Sequence, residues 1–536
     1  MKGEVVADKE TLEAHSRDAS IFEVVPQMVV YPNGVDDLKN LVKEISARKK
    51  AGENVSIAAR AAGTCMSGGS LTDSISVDFT KYFTDIGDIN DDQTIEVEPG
   101  VYFRDLEKKL DTDGLMFPPF PASKNLCTIG GMVANNAAGE KTLSYGQTER
   151  YVKELDVVLA DGESYVLKSL NKSELENKIN QNNFEGECYK KTFELIDKNY
   201  DLIQRARPTV SKNSSGYYLW DVYNKATGIF DLTKLFVGSQ GTLGLISSIK
   251  LDVVPKKPFS RFAVMFLPDL EQLVPIVETV LAYEPEAFEC YDDHTFELAV
   301  QSLTYEMKIL YDAWKPLLQM IETKMPKLIL LIELADTDER VLEEKFSHLV
   351  GEITKFNVPL RVTGSSLEGE KYWRIRHESF NLLRHHGVGR QSAPFIDDII
   401  VRPQVLKEFM PKLEEVLAKY KDKMMYTIAG HIGDGNFHII PLIDFADPST
   451  REALPKIMDD VFGLVLSYGG STAAEHNDGL VRSQYLEKQF GVEMVKLFEQ
   501  VKNIFDPLNI FNPRKKVNVD MKFVRDHIKK TNVHAW

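Results

Sequence analysis

The segment His431-Ile432-Gly433-Asp434-Gly435-Asn436-Phe437-His438 sets two imidazoles around an Asp-Gly pair. Asp-Gly is a favoured centre for a two-residue hairpin turn. A hairpin closed there pairs residue 433 with 436, 432 with 437 and 431 with 438. His431 and His438 then face one another on one side of the ladder, with Cβ atoms roughly 5 Å apart. Two imidazoles at that spacing can share one divalent ion, for which a Zn–N distance is about 2 Å. Alone, each histidine reads as a buried, hydrogen-bonded residue; framing one turn, they read as a site. One carboxylate would complete a His₂Glu set with an open position, as catalytic metal centres have. The stretch from Gly469 to Gly479 supplies a candidate, Glu475, with His476 beside it. On an extended chain these two point to opposite faces, so that one can bind the ion while the other faces a substrate.

Three glycine-rich loops lie upstream. The first is Arg60-Ala61-Ala62-Gly63-Thr64-Cys65-Met66-Ser67-Gly68-Gly69-Ser70. It lets backbone N–H groups approach an anion without a side chain in the way. It is neither GxGxxG nor a P-loop. The second comprises Pro121-Ala122-Ser123, then Thr128-Ile129-Gly130-Gly131-Met132-Val133-Ala134-Asn135-Asn136-Ala137-Ala138-Gly139, then Tyr145-Gly146. A core segment would be greasier; close backbone approach to a flat ligand explains it better. The third is Gly238-Ser239-Gln240-Gly241-Thr242-Leu243-Gly244-Leu245-Ile246, glycines opening onto an apolar strand.

These loops need a scaffold of short strands. VSIAAR, ISVDF and TIEVEPG read as strands, VDDLKNLVKEISARKK and FRDLEKKLDTDG as helices. LDVVLADGESYVL reads as a hairpin turning at Asp161-Gly162. After Pro255-Lys256-Lys257-Pro258 longer amphipathic helices alternate with strands such as KLILLIEL, which places a domain boundary at those prolines. No internal repeat is present.

The bulk numbers bound the reading. With 536 residues, 43% hydrophobic and 27% charged, the chain has the make-up of a globular protein of two or more domains. Its net charge of −16 disfavours nucleic-acid binding and requires a local basic patch to draw in an anionic substrate. Cys65, Cys127, Cys188 and Cys290 form no CxxC pair, which excludes a cluster or thiolate zinc site of the usual spacing and fits a reducing cytosol. No signal-peptide core and no bilayer-length apolar run is seen. The chain is therefore placed in the cytoplasm. Arg514 to Lys530 is basic and can touch an anionic membrane at its inner face or a partner; a solvated helical tail is the plainer reading.

In this order the motifs resemble the FAD-dependent oxidases and dehydrogenases of the vanillyl-alcohol-oxidase (PCMH) type, in the branch of D-lactate dehydrogenase, the glycolate oxidase D subunit and D-2-hydroxyglutarate dehydrogenase. The resemblance runs from about Val25 to Lys516. It implies an α+β protein: an N-terminal segment (1–24), a two-part FAD-binding domain (25–256), an α+β cap with an antiparallel sheet (257–516) whose C-terminal part returns to the flavin, and a basic tail (517–536). It assigns FAD contacts to Arg60, Ala62, Gly63, Thr64, Ser67, Gly68, Gly69 and Ser70, to Pro121, Ser123, Thr128, Gly130, Gly131, Ala134, Asn135, Ala138, Gly139, Tyr145 and Gly146, and to Gln240, Gly241, Gly244, Ile246 and Asn512. No histidine lies in the first loop, so the FAD is expected to be non-covalent.

The same resemblance makes His431, His438 and Glu475 ligands of a divalent metal (zinc, manganese or iron), His476 the general base, and Asn436 a further catalytic residue. In Trp373-Arg374-Ile375-Arg376-His377-Glu378 it makes Arg376 the grip on the substrate carboxylate, with a helix-surface salt bridge as the plain alternative. This chain departs from the family in three places: Gln240 replaces the usual Glu, EHNDG replaces EHGxG, and Ile396 stands where the hydroxyglutarate branch carries a Lys. The last departure turns the expectation toward a monocarboxylate. The expected activity is oxidation of a D-2-hydroxy acid, D-lactate first, to the 2-oxo acid, with D-2-hydroxyglutarate or glycolate as alternatives. Electrons would pass to a quinone, a cytochrome, an electron-transfer flavoprotein or oxygen, and a homodimer is one option for assembly. Readings of another class are a non-redox flavin enzyme such as alkyl-dihydroxyacetonephosphate synthase, or a flavin-binding assembly subunit without the metal ligands.

Overall fold

The computed structural model describes residues 1–301, 326–364, 368–369, 372–376 and 389–532. His377 and Glu378 of the arginine motif, and the last residues of the tail, lie outside the described residues.

Four strands make the first sheet, in the order Glu4–Val6, Met28–Tyr31, Ile75–Asp78, Ile57–Arg60. The last three run parallel. Helix Val35–Lys50 covers this sheet with Leu38, Leu41, Val42 and Ile45, an i, i+3, i+4, i+7 stripe. Strand Ile75–Asp78 is buried at every residue. Its parallel neighbours and the covering layers leave neither face in water.

A second sheet of seven antiparallel strands is centred on Val152–Val158 and Leu245–Asp252. The expected hairpin is present: Val152–Val158 pairs with Ser164–Leu170, and Gly162 takes a φ of +75° at the bend.

Strand Phe259–Leu267 follows the proline-bounded linker and opens a third, wholly antiparallel sheet. Its middle runs Phe259–Leu267, Leu328–Asp336, Ala287–Asp292, Met424–His431, Asn436–Ile443. Helices Leu273–Leu281, Glu339–Thr354, Leu406–Ala418 and Pro448–Ser467 bury their apolar stripes in the core of this cap. The chain then crosses back. Ile57 N–H donates to Ile510 O (2.8 Å), Asn512 N–H donates to Ile57 O (2.7 Å), and Ile510 and Phe511 are buried in the core of the first sheet.

That crossing changes the reading of the basic tail. Lys515, Lys516 and Lys529 are buried, donating to Leu71 O, to Asp478 and to Ser20 O. Arg514 pairs with Asp73 and lies over the Phe523 ring. Lys522, Arg525 and Lys530 alone among the seven basic groups are exposed. A segment laid across a domain spends its cations on carbonyls and carboxylates that folding buries. No described helix is long and apolar enough to cross a membrane.

Candidate flavin groove and metal centre

The three glycine loops converge. Arg60, Gly63, Thr64, Gly69, Ser70, Thr128, Gly130, Gly131, Ala134, Asn135, Gln240, Gly241, Gly244 and Ile246 line one groove. The groove is partly open to solvent. Thr128 to Asn135 is not a loop: Thr128 caps a short helix, Ile129–Asn135, whose small residues face the groove. Ser70 Oγ is buried and without a protein hydrogen-bond partner, a polar atom left over for a ligand in an otherwise satisfied loop. The lining of small residues and the orphaned hydroxyl fit a flavin nucleotide.

Other residues of these loops serve the protein's own packing. A Cβ at Gly139 would come within 2.0 Å of Phe120 O, and one at Gly68 within 2.9 Å of the Phe22 ring. Ser67 and Ala138 are fully buried, Gly146 packs on Arg150, and Ala62, Pro121, Ser123 and Tyr145 are half-buried and outside the lining of the groove. Asn512 donates to both Gly69 O and Gln240 O at 2.7 Å, tying the first and third loops together.

The hairpin carrying the two histidines exists, in another register. Strands Met424–His431 and Asn436–Ile443 pair His431 with Asn436 and Ala429 with His438. The loop therefore has four residues, 432–435, rather than two, and the histidines are diagonal neighbours on one face, not direct partners. Asp434 is drawn inward by Ser211 Oγ (2.6 Å) and Lys212 Nζ (3.1 Å). Gly435, at φ +71°, lies so close to Val401 O that a Cβ would sit 2.0 Å from it. These contacts hold the wider loop against the two-residue turn that Asp-Gly prefers locally. The imidazole centroids are still only 5.2 Å apart. Gly435→Ala is expected to cost at least about 2 kcal/mol of stability, since it combines a positive φ with a backbone clash; a chemical-denaturation midpoint measures this.

His431 Nε2 lies 3.0 Å from Glu475 Oε1, and one ligand atom from each of His431, His438 and Glu475 falls within 4.8 Å of the others. Each ring of the pair has its Nδ1 against a buried carboxylate: His431 on Glu289 (2.5 Å), His438 on Asp397 (3.3 Å). That is the carboxylate–histidine arrangement which fixes Nε2 as the ligand atom. Asp397, His438 and His476 form a second compact group, in which Asp397 lies against Nδ1 of both rings. His476 Nδ1 lies 2.6 Å from Asp397 and its ring stacks on His438 at 5.1 Å.

Around these donors five buried carboxyl groups (Glu289, Asp397, Asp398, Asp434, Glu475) face three buried cations (Lys212, Arg376, Arg482). Burial works against a charged Glu475, yet Lys212 and His431 outweigh it and hold its pKa well below the usual carboxylate range. Burial opposes the charge of Asp397 as well, and His476 and His438 overcome it. For His431, burial disfavours the imidazolium but Glu289 raises its pKa to about 9. For His476 the same contest, won by Asp397 and Asp398, also gives about 9, above the near-neutral value expected for a histidine base.

Sequence reasoning missed Glu289, Lys212, Asp397 and Asp398 as members of the site. Lys212 is fully buried and reaches Glu475 at 2.8 Å. Asp398 accepts from the N–H groups of Glu475 (2.8 Å) and His476 (2.7 Å) and from Asn436 Nδ2 (3.1 Å). Asn436 thus braces the hairpin against the Glu475-His476 turn. The adjacent Asp397-Asp398 pair was a signal; Lys212 and Glu289 carried none, as each is joined to the site only by folding. Arg376 is buried and donates Nε to Glu289 (3.1 Å), which sets aside the helix-surface salt bridge. Ile396 is fully buried in the apolar core of the cap.

The departures at Gln240 and at EHNDG are in contact with each other. Gln240 Oε1 accepts from Gly479 N–H (2.9 Å), while its Nε2 faces Asn135 Oδ1 at 3.3 Å. Asn477, at φ +60°, donates Nδ2 to Asn135 O (3.1 Å) and Gly238 O (2.9 Å). Asp478 is buried against Lys516 Nζ at 2.9 Å. The turn that carries Glu475 and His476 is thereby fastened to the walls of the flavin groove.

Fold and groove define a flavoprotein of the PCMH-type FAD-binding class. The comparisons agree. A FAD binding domain matches residues 26–168, and the C-terminal domain of FAD linked oxidases matches residues 256–516. The chain thus carries a FAD binding domain followed by a C-terminal domain of the FAD linked oxidase type. It is 27% identical over 520 residues to a D-2-hydroxyglutarate dehydrogenase of Pseudomonas putida, a match covering 96% of this chain and 50% of that protein. It is 25% identical to glycolate oxidase subunit GlcD of Bacillus subtilis, covering 92% and 89%, and 25% identical to a D-lactate dehydrogenase of Anaerostipes hadrus, covering 94% and 91%. The chain spans about half the length of the first of these relatives. Among solved structures, p-cresol methylhydroxylase with substrate bound superposes with a TM-score of 0.69 at 16% identity, covering 96% of this chain and 94% of that one. Alkyldihydroxyacetonephosphate synthase gives 0.66 at 15% identity, covering 95% and 83%. At these identities the two structures speak to the fold alone.

Proposed function

We propose that this protein oxidises a D-2-hydroxy acid, D-lactate foremost, to the 2-oxo acid at a divalent metal centre beside FAD. The observation that carries the reading is the turn 475–479, which presents Glu475 and His476 to the histidine pair while Asn477 and Gly479 bond to the groove walls. When bound, FAD supplies the hydride acceptor and the divalent ion a Lewis acid for the α-hydroxyl. His431, His438 and Glu475 would hold that ion, with Nε2 of each ring turned to it. His476, its Nδ1 beside Asp397, takes the hydroxyl proton at Nε2 from its neutral form, which a pKa of about 9 makes dominant only at alkaline pH. Arg376, steadied by Glu289, grips the substrate carboxylate.

D-Lactate is favoured over a dicarboxylate by the surroundings. Ile396 lies in the apolar core, and among the described residues the buried cations Lys212, Arg376 and Arg482 are each engaged by protein carboxylates or carbonyls. A second substrate carboxylate would find no dedicated partner among them. Anaerobic titration of the FAD-loaded protein tests the reading. D-Lactate is expected to bleach the flavin, L-lactate not, and prior removal of metal by a chelator to suppress the reaction. Faster bleaching by D-2-hydroxyglutarate would overturn the substrate choice. Bleaching by no hydroxy acid would overturn the oxidation itself.

A further inference from the structure

Glu289 stands in the middle of strand Ala287–Asp292, one step along the ladder from the pair Cys290–Gly430 and so beside His431 on the neighbouring strand. It is 1% exposed. Its two oxygens have different partners: Oε1 faces His431 Nδ1 at 2.5 Å, and Oε2 accepts from Arg376 Nε at 3.1 Å. His431 belongs to the donor set, and Arg376 comes from a separate helical stretch, 372–376, far along the chain.

We propose that Glu289 is a positioning residue that couples the ion site to the grip on the substrate carboxylate, an inference that rests on the function proposed above. One carboxylate fixes both partners at once. Accepting from Nδ1 sets the His431 tautomer and turns Nε2 toward Glu475. Accepting from Nε fixes the plane of the guanidinium, on which two-point recognition of a carboxylate depends. The rigid strand backbone holds the two settings in register. A glutamine cannot do both: one amide oxygen can accept from His431 or from Arg376, and the NH₂ group then faces the other donor.

Zinc affinity and steady-state kinetics read the two halves separately. In Glu289→Gln, the apparent Kd for Zn²⁺, measured by competition with a chromogenic chelator, is expected to rise about 10- to 100-fold, as for carboxylates that orient metal-bound histidines. With Zn²⁺ saturating, KM for D-lactate is expected to rise about tenfold with a smaller change in kcat. The KM effect of Arg376→Lys should shrink in the Glu289→Gln background, because both changes break one linked contact. Flavin content reports folding. If Glu289→Gln loses its flavin, Glu289→Asp, which keeps both oxygens one methylene short, should show the same pattern at smaller size.

Wild-type Zn²⁺ affinity and KM in these variants, or fully additive KM effects, would overturn the coupling. A wild-type protein that takes up no stoichiometric Zn²⁺ would instead overturn the metal centre proposed above. Loss of Zn²⁺ affinity in His438→Ala, but not in Glu289→Gln, would leave that centre standing and remove Glu289 from it.

Discussion

His438→Ala is expected to lower kcat/KM for D-lactate by about 10³-fold or more while the protein keeps its FAD. A Lewis acid at a developing alkoxide is worth several kcal/mol, and about 4 kcal/mol corresponds to 10³ at one decade per 1.36 kcal/mol. The site has three protein donors, so removing one leaves two for an ion that needs a fixed open position. The flavin groove is lined by other residues, from the three glycine loops. The measurement pairs metal content by atomic emission with steady-state turnover and the flavin spectrum. Unchanged turnover with full activity after chelation would sink the metal-assisted mechanism. Loss of flavin along with metal would show that the substitution damages the fold instead.

His476→Gln should act on another step. Removing a general base costs about 10²- to 10⁴-fold, and the loss should fall on kcat and kcat/KM together, as for an interaction made in the transition state. Metal content should stay at the wild-type level, since the His476 contacts are to Asp397 and, by stacking, to His438. That split separates the two compact donor groups. If His476→Gln loses the ion as readily as His438→Ala, then Asp397, His438 and His476 hold it, and the base must be sought elsewhere. The substitution places an amide opposite Asp397, so a folding failure is not the expected outcome.

Much of the scaffold was legible from periodicity. Helix Val35–Lys50 forms around the apolar stripe Leu38, Leu41, Val42 and Ile45, and the hairpin at Gly162 closes where Asp-Gly lies. Both are local: their signals lie within one turn or one pair of strands. The glycine loops were legible for a related reason, because a backbone that must approach something closely can carry no large side chain. Which glycines serve a cofactor and which serve the protein was not legible. Gly130 lines the groove while Gly139 packs against Phe120 O, and both look alike in a run of small residues.

The site divides along the same line. The sequence alone determined that His431 and His438 share a hairpin face and singled out Glu475 and His476 as an adjacent candidate pair, because strand alternation and residue chemistry are properties of short stretches. Only the tertiary structure decided the four-residue loop, the diagonal placement of the histidines, and the roles of Glu289, Lys212, Asp397 and Asp398. These contacts join groups up to 263 residues apart. A buried charge is tolerable only where its partners are assembled around it, and that assembly depends on how the two halves of the chain pack together, which no window of sequence contains.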